Sequence, residues 1–200
     1  MDAGYLLACG TQLTLNDVKA KRKQCSVKIA WLAHDLQELA KESSGLPLLR
    51  TYWYDGSWQG KRSLEHSQVL EASLVKLRLG KNTISGQKGV DSLVFRDLTT
   101  LARERAICSA FLVAGDEDMR EAVSMVQDLG VQVTLITVVP VPDQKFENTS
   151  QGLMDEVDAV EALERDWIVK YFEPRLDMNT NSQAMVARGG DDPQSAHVKA

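Results

Sequence analysis

The sequence predicts an α/β fold, a three-layer sandwich in which a mostly parallel sheet lies between helices on both faces. The run "AFLVA" (residues 110–114) is apolar throughout, as a strand covered on both faces is, and "VQVTLITVV" (residues 131–139) is typical of another buried strand. A helical pattern separates them, so strand, helix and strand follow within about 30 residues and form a βαβ unit. Alternating helices and buried strands build sandwiches of this kind.

The amino-terminal half adds helices and strands to this prediction. Apolar residues recur at intervals of three and four across residues 27–41, which predicts a helix that ends at Ser43-Ser44-Gly45. The run "LPLLRTYWYDG" (residues 46–56) is typical of a strand followed by an Asp55-Gly56 turn. "VKLRL" (residues 75–79) alternates apolar and basic residues like a half-buried strand before a Gly-Lys-Asn turn. Residues 87–106 carry one apolar helical stripe.

The carboxyl-terminal half continues the same alternation. Gly115 ends the strand, and a helix is predicted to follow it. The apolar face of that helix contains Met119, Ala122, Val123 and Val126. Residues 149–172 have apolar positions at helical intervals, which predicts one helix or two. After Pro174 the composition turns to Asn, Ser, Gln and Gly, so residues from about 177 onward are expected to be disordered. We therefore expect one domain over residues 1–173 and a tail over residues 174–200.

Composition narrows the class of protein. The 200 residues are 44% hydrophobic and 26% charged, as in ordinary globular domains. No apolar run is long enough to cross a membrane and no secretory signal is recognisable, so we expect a cytoplasmic protein without a membrane partner. Cys9, Cys25 and Cys108 have neither disulfide-framework nor zinc-site spacing. The three histidines also lack ligand spacing, which argues against a histidine-based site.

Charge is distributed unequally along the chain. Residues 1–105 contain 16 Lys and Arg against 11 Asp and Glu, a net charge of +5, whereas residues 106–200 contain 7 against 17, a net charge of −10. A basic half suits a polyanion such as nucleic acid, and clustered carboxylates suit cations. Solvated helix faces explain such a pattern equally well, so both interpretations remain open.

Acidic residues stand at several predicted element boundaries. "VAGDEDM" (residues 113–119) places Asp116 and Asp118 just after a buried strand, Asp91 begins a helix, and no helix pattern accounts for Asp2. Helix capping explains Asp116 and Asp91 without any function. However, sites in parallel sheets form beyond the carboxyl ends of the strands. Convergent carboxylates there would suit Mg²⁺ or Mn²⁺ and metal-assisted phosphodiester hydrolysis.

Five blocks of the sequence, in order, resemble those of an NYN domain, a family of the PIN-like nuclease superfamily, with the closest likeness to its LabA-like branch. The blocks are "DAGYLL" (2–7), "LRTYWYDG" (49–56), "QKGVD" (87–91), "FLVAGDEDM" (111–119) and "LGVQVTLI" (129–136), so the resemblance covers about residues 2–160. It implies a parallel sheet between helices and RNA hydrolysis with Mg²⁺ or Mn²⁺. Matched by motif, the catalytic metal ligands would be Asp2, Asp91, Asp116 and Asp118.

Basic and aromatic residues outside this acidic set suggest how RNA would bind. Lys88 could approach a phosphate, and other basic residues could guide the RNA backbone, namely Lys19, Lys21, Arg22, Lys23, Lys61 and Arg62. Each of them also fits a solvated surface. Four aromatic residues could stack on bases or pack in the core, namely Tyr5, Tyr52, Trp53 and Trp58.

The chain departs from the family pattern at its start. Family members have an apolar strand before the first aspartate, but Met1 alone precedes Asp2 here, so the first strand is expected to be truncated. Two functions therefore follow from the resemblance: a divalent-metal ribonuclease, or a non-catalytic RNA-binding or regulatory module with an impaired metal site. A nucleotide-binding α/β domain is a third reading, although no GxGxxG or GxxxxGK stretch supports it. Self-association is possible in each case.

Overall fold

The computed structural model of the protein describes residues 1–58, 60–83, 86–143 and 147–175, with the backbone alone at 58, 81–83 and 86–88. The helices there are α1 (Ala3–Leu15), α2 (Ile29–Ser44), α3 (Leu64–Glu71), α4 (Val90–Arg103), α5 (Arg120–Asp128), α6 (Gln151–Glu156) and α7 (Arg165–Val169). The strands are β1 (Cys25–Val27), β2 (Thr51–Trp58), β3 (Val75–Thr83), β4 (Gly86–Lys88), β5 (Ser109–Val113), β6 (Gln132–Val138), β7 (Ala159–Leu163) and β8 (Phe172–Pro174). The predicted disordered tail lies outside the described residues.

Two parallel ladders form the centre of the molecule. One contains β5, β6 and β7, all parallel, and the other pairs β2 with β3 in parallel and adds β4 antiparallel to β3. Met1 and Asp2 join the two ladders. Asp2 bridges Tyr54 in parallel, and its amide donates to the carbonyl oxygen of Val113 at 2.8 Å. In the described chain, Met1 and Asp2 thus form a two-residue strand segment between β2 and β5.

Helices cover both faces of the sheet, which confirms the predicted three-layer sandwich. Neighbouring residues of one strand enter different cores because side chains alternate along a strand. Trp53 and Ile136 join the core under α1, α2 and α7, whereas Tyr54 and Leu135 join the core under α4, α5 and α6. A separate antiparallel pair of β1 and β8 closes one side. Within the described residues, no helix has the length and apolar character that a membrane crossing needs.

The prediction of one helix or two over residues 149–172 is correct for two short helices and wrong for the strands, which it missed. This segment contains α6, then β7 paired in parallel with β6, then α7 and β8. The apolar spacing was misleading because β7 lies at the sheet edge: Leu163 is buried, while Val160 is 47% exposed. β7 forms because the edge of β6 needs a hydrogen-bonding partner. The apolar periodicity within residues 149–172 does not show this need, because β6 lies outside the segment.

The predicted turns at Asp55-Gly56 and at residues 80–82 are also wrong, since β2 continues to Trp58 and β3 to Thr83. Asp and Gly are rare in strands, but here a tertiary contact overrides that preference. The buried Asp55 carboxylate accepts hydrogen bonds from the guanidinium of Arg22 and from its neighbouring Gly56 amide. Arg22 lies outside the segment, so the segment alone has the composition of a turn.

Candidate functional site

Three of the predicted acidic residues line one small recess at the carboxyl edge of the sheet. Asp2 lies between Tyr54 in the middle of β2 and Val113 at the end of β5, Asp91 lies in the first turn of α4, and Asp116 lies just after β5. The recess is otherwise walled by Val94, Leu112, Val113, Ala114 and Met119. The parallel arrangement accounts for this gathering, because strand ends and the following helix starts share one edge.

Asp118 belongs to the same electrostatic group although it does not line the recess. It lies in the 3₁₀ turn Glu117–Met119 that leads from Asp116 into α5. Burial raises the pKa of Asp91, and the charges of Asp116 and Asp118 raise it further. Like charges shift one another's pKa only when they are close neighbours. Asp91, Asp116 and Asp118 therefore contribute to one region of negative potential at this edge.

Asp2 shows the same influence from Asp116. Burial raises the pKa of Asp2, the backbone amides of Tyr5 and Gly4 and the chain's own amino group lower it, and the Asp116 charge raises it; the net direction is upward. Asp116 therefore interacts with both Asp2 and Asp91 and lies at the centre of the group.

Helix capping explains one of these carboxylates and fails for another. Asp2 caps α1, since its Oδ1 accepts from the Gly4 amide at 2.8 Å. The sequence reading missed this helix; the signal was an Asp before the apolar run of residues 3–9. Asp116 precedes the next helical turn, but its side chain makes no capping hydrogen bond. Capping therefore does not account for the Asp116 side chain.

The acidic group lacks the cationic partners that other acids of the protein have. In the described part of the chain, no Lys or Arg forms an ion pair with Asp2, Asp91, Asp116 or Asp118. The Met1 amino group is next to Asp2, but burial lowers its pKa to about 5, so burial opposes its positive charge. The recess therefore carries uncompensated negative charge.

The donor set fits a hard divalent cation in its chemistry. Carboxylate oxygens are the ligands that Mg²⁺ and Mn²⁺ prefer, and such ions usually keep several waters between themselves and the protein. The spacing is wider than a closed ligand cage: among the described residues, no three His, Cys, Asp or Glu side chains stand close enough to enclose an ion. Asp91, Asp116 and Asp118 are exposed, which leaves room for water on that side.

Arg22, predicted to contact RNA, lies instead in a buried ion-pair network. Its guanidinium binds both oxygens of Asp55, at 2.8 and 2.7 Å, and Glu65 of α3 at 2.6 Å. His66 completes the network with a contact of 3.0 Å to Asp55. Burial disfavours ionised Asp55, but the hydrogen bonds and charge of Arg22 outweigh burial and hold its pKa below the usual value. Arg22 is therefore primarily a structural residue.

The other predicted basic contacts surround this network. Lys21 and Lys23 flank Arg22, and Lys61 and Arg62 come just before α3; all four are exposed. Lys19 is exposed as well. Tyr54 bridges Asp2, which lines the recess, and Asp55 is the next residue of β2. The ion pairs of Asp55 therefore lie at the same edge of the sheet as the recess, and so does the basic surface around them. Lys88 lies in β4, and its side chain is outside the described part of the structure.

Two of the aromatic residues predicted to pack or to stack are structural. Trp53 is completely buried. The Tyr5 hydroxyl is 2.8 Å from Thr149 Oγ1 and accepts from the Val138 amide, so it holds the loop beside the recess. Tyr52 is half-buried, with the Arg78 guanidinium 5.7 Å from its ring centre. The side chain of Trp58 lies outside the described residues.

A parallel three-layer sandwich with an acidic recess beyond its strand ends is the architecture of PIN-like proteins. The sequence profile of the NYN domain matches residues 18–164, and the chain belongs to that family. The match contains Asp91, Asp116 and Asp118 and begins after Asp2. The chain is also 33% identical over 135 residues to the uncharacterized protein y4oD of Sinorhizobium fredii (strain NBRC 101917 / NGR234). That alignment covers 67% of the chain and 60% of the relative, so the chain spans less than two thirds of the relative's length.

Proposed function

We propose that the protein is a divalent-metal-dependent ribonuclease that hydrolyses RNA phosphodiester bonds at the acidic recess. The observation that carries the proposal is the gathering of Asp2, Asp91 and Asp116 at one sheet edge without a Lys or Arg partner among the described residues. Membership of the NYN family supports RNA as the substrate class. The LabA-like branch and a cytoplasmic location remain part of the proposal.

In this proposal, Asp2, Asp91, Asp116 and Asp118 would hold Mg²⁺ or Mn²⁺. When bound, the ion supplies positive charge to the scissile phosphate and lowers the pKa of a water. Asp2 is positioned by the Gly4 amide and by its backbone bridge to Tyr54, so its carboxylate has a defined place. Asp116 interacts with both Asp2 and Asp91, which makes it the residue whose loss should matter most.

Protons and the metal ion compete for the same carboxylates. Burial and neighbouring charges raise the pKa of Asp2 and of Asp91, so both hold protons at a higher pH than isolated aspartates do. Metal affinity should therefore fall as the solution becomes mildly acidic, before an ordinary carboxylate would titrate.

RNA would reach the recess across the basic surface formed by Lys21, Lys23, Lys61 and Arg62. Exposed lysine and arginine side chains bind the phosphate backbone without regard to sequence. Arg22 supports this surface through its ion pairs with Asp55 and Glu65. In this proposal the basic residues bind the RNA backbone, and the carboxylates hold the metal ion for phosphodiester hydrolysis.

The test is cleavage of a labelled single-stranded RNA with Mn²⁺ or Mg²⁺ by the native chain and by Asp116→Asn. Asp128→Asn is the matched control, because Asp128 is an exposed aspartate at the opposite end of α5 from the recess. We expect Asp116→Asn to lower the cleavage rate by at least about 100-fold, as expected for a direct metal ligand. Chelation should abolish cleavage, and Asp128→Asn should leave it unchanged. Cleavage that persists in Asp116→Asn would contradict the proposal.

A non-catalytic RNA-binding module is the second candidate, and two observations favour it. Asp2 caps α1, and the described carboxylates do not close into an ion cage. Such a module would bind RNA through the basic surface, with the same affinity in Mn²⁺ and in chelator, and would leave the RNA intact. Binding measured beside cleavage in the same samples separates the two functions.

A further inference from the structure

Basic side chains gather around Tyr52 on the face of the sheet that α4 covers. Tyr52 pairs with Lys76 across β2 and β3, and the next pair on the same face joins Tyr54 to Arg78. The Arg50 guanidinium lies 6.0 Å and the Arg78 guanidinium 5.7 Å from the centre of the Tyr52 ring. We call Arg50, Tyr52, Lys76 and Arg78 the tyrosine platform.

The tyrosine platform carries positive charge that reaches solvent. Arg50 and Lys76 are exposed, and Tyr52 is half-buried. Within the described residues, no acid forms an ion pair with Arg50 or with Lys76. Two uncompensated cations therefore lie beside an aromatic ring that is partly open to solvent.

A buried carboxylate of α4 fixes the arginine of the platform that is less exposed. Asp97 is 7% exposed, and its Oδ2 accepts from Arg78 Nε at 2.8 Å and from the Tyr54 hydroxyl at 3.3 Å. Its Oδ1 accepts from the Arg96 guanidinium at 2.9 Å. Because two guanidinium groups share one carboxylate, this group retains a net positive charge. The Arg78 guanidinium thus has a defined place beside the Tyr52 ring.

The tyrosine platform and the acidic recess are neighbours along β2. The rings of Tyr52 and Tyr54 are stacked, with their centres 6.2 Å apart. Tyr54 bridges Asp2, which lines the recess. The extended chain from Tyr54 back to Arg50 is about 13 Å long. A short stretch of one RNA strand is therefore long enough to contact both the recess and the platform.

The combination of free cations and a partly exposed aromatic ring fits an unpaired nucleic acid strand. Phosphate groups bind lysine and arginine without regard to sequence. Unpaired bases stack on aromatic rings and on guanidinium planes. The bases of a duplex are stacked on one another and are closed to such contacts. An acidic protein segment would pair with the cations but would leave the Tyr52 ring without a partner.

We propose that the tyrosine platform binds a single-stranded segment of the RNA next to the recess. Arg50 and Lys76 bind phosphate groups, and one unpaired base stacks against Tyr52 and the Arg78 guanidinium. The platform holds the substrate and takes no part in breaking the phosphodiester bond. The inference deepens the proposed function, on which its cleavage readout rests, whereas its binding readout in chelator is independent of cleavage.

The first test measures the affinity of the full chain for a labelled single-stranded RNA by fluorescence anisotropy in chelator. Arg50→Gln combined with Lys76→Gln removes the two free charges of the platform. Lys28→Gln combined with Lys170→Gln is the matched control, because these exposed lysines lie next to β1 and β8. We expect the platform pair to lower affinity about 10-fold and to reduce the salt slope by about 1.4. The control pair should change neither, and equal effects of the two pairs would overturn the proposal.

Substitutions of Tyr52 test the stacking contact. Tyr52→Leu retains an apolar side chain without a ring, and Tyr52→Phe retains the ring without the hydroxyl. We expect Tyr52→Leu to weaken single-stranded RNA binding at least about 5-fold and Tyr52→Phe to leave it unchanged. The same RNA in a duplex should bind native chain and Tyr52→Leu equally. Equal losses for single strand and duplex, or no loss for either, would overturn stacking on Tyr52.

Cleavage with Mn²⁺ separates this proposal from the proposed function. The charge and Tyr52→Leu variants should raise KM for the single strand with kcat unchanged, since they remove binding that is uniform along the reaction. Their cleavage of a dinucleotide, which does not extend from the recess to Tyr52, should match the native chain. RNA binding through the platform without cleavage would support the platform and contradict the ribonuclease. An unchanged KM in all these variants would overturn the platform alone. Polyglutamate that binds as tightly as RNA, with the same dependence on Tyr52, would overturn nucleic acid as the partner.

Discussion

The amide of Asp2 donates a hydrogen bond of 2.8 Å to the carbonyl oxygen of Val113, and this contact attaches the amino end of the chain to β5. Asp2 is thereby held beside the strand whose continuation carries Asp116. The same residue bridges Tyr54 of β2 and caps α1. The position of one carboxylate of the proposed site thus depends on backbone contacts with both ladders.

Removing the charge of Asp116 should stabilise the metal-free protein at neutral pH. The raised pKa values of Asp2 and Asp91 mean that the folded state binds protons more tightly than the unfolded state, so stability is lost as pH rises through these pKa values. Asp116 contributes to both shifts. We expect Asp116→Asn to raise the free energy of unfolding by about 0.5–1 kcal/mol at pH 7 with chelator present, and by less near pH 4.

Urea denaturation at both pH values measures this effect, with Asp128→Asn as the control. Added Mn²⁺ should stabilise the native chain more than the Asp116→Asn variant, because the variant lacks the ligand. A variant that is less stable than the native chain at pH 7 in chelator would show that Asp116 has a structural role and not a site role.

A methyl group at Gly115 should disturb the recess. A Cβ there would lie 2.3 Å from the carbonyl oxygen of Asn148 and 2.5 Å from the Tyr5 ring. Neither neighbour moves easily, since one is backbone and the Tyr5 hydroxyl is held by Thr149 and Val138. We expect Gly115→Ala to lower the free energy of unfolding by about 1–3 kcal/mol and to weaken Mn²⁺ binding, because Asp116 is the next residue.

Gly152→Ala is the matched control for this substitution. Its Cβ would meet the carboxylate of Glu117 at 2.6 Å, which is the far end of a flexible side chain. We expect a change in stability of no more than about 0.5 kcal/mol. Denaturation curves and Mn²⁺ titrations of both variants test the contrast, and equal losses would remove it.

Replacing Asp55 should make the protein less stable and less sensitive to acid. The pKa of Asp55 is lowered in the fold, so its contribution is complete above the unfolded pKa of about 3.8 and is lost as pH falls through the lower folded value. Asp55→Asn would leave Arg22, which is partly buried, without its bidentate partner and with Glu65 alone as a carboxylate partner. We expect a loss of about 1.5–3 kcal/mol at neutral pH.

The acid dependence of the unfolding midpoint, followed from pH 7 downward, gives the second readout. The native chain should lose stability below about pH 4 more steeply than Asp55→Asn does. Asp166→Asn, at an exposed position, should retain the native profile. Parallel profiles for native chain and Asp55→Asn would mean that the ion pair contributes little.

The exposed basic residues should determine how RNA affinity responds to salt. Each phosphate contact with a single strand contributes about 0.7 to the slope of log affinity against log salt. We expect Lys61→Ala combined with Arg62→Ala to reduce this slope by about 1.4. Binding is measured by fluorescence anisotropy in chelator, so that RNA is not cleaved. Lys41→Ala combined with Arg103→Ala, at the carboxyl ends of α2 and α4, should leave the slope unchanged.

The sequence by itself predicts the elements whose burial pattern is local. The mostly apolar runs of β5 and β6 indicate strands covered on both faces, and the stripes of α2, α4 and α5 indicate which side of each helix is buried. These patterns are sufficient for the three-layer sandwich. They also identify the acidic positions, because the helix start at Asp91 and the strand end before Asp116 can be predicted from the sequence.

Tertiary structure decided the features that depend on distant partners. β7 forms in a segment with helical spacing because β6 has an open edge, and Asp55 remains in a strand because Arg22 and His66 satisfy its carboxylate. Asp2 became a cap and a bridge, whereas the Asp116 side chain stayed uncapped. Local sequence reports which face of an element avoids water, but strand partners, ion pairs and open edges are set by residues far away in the chain.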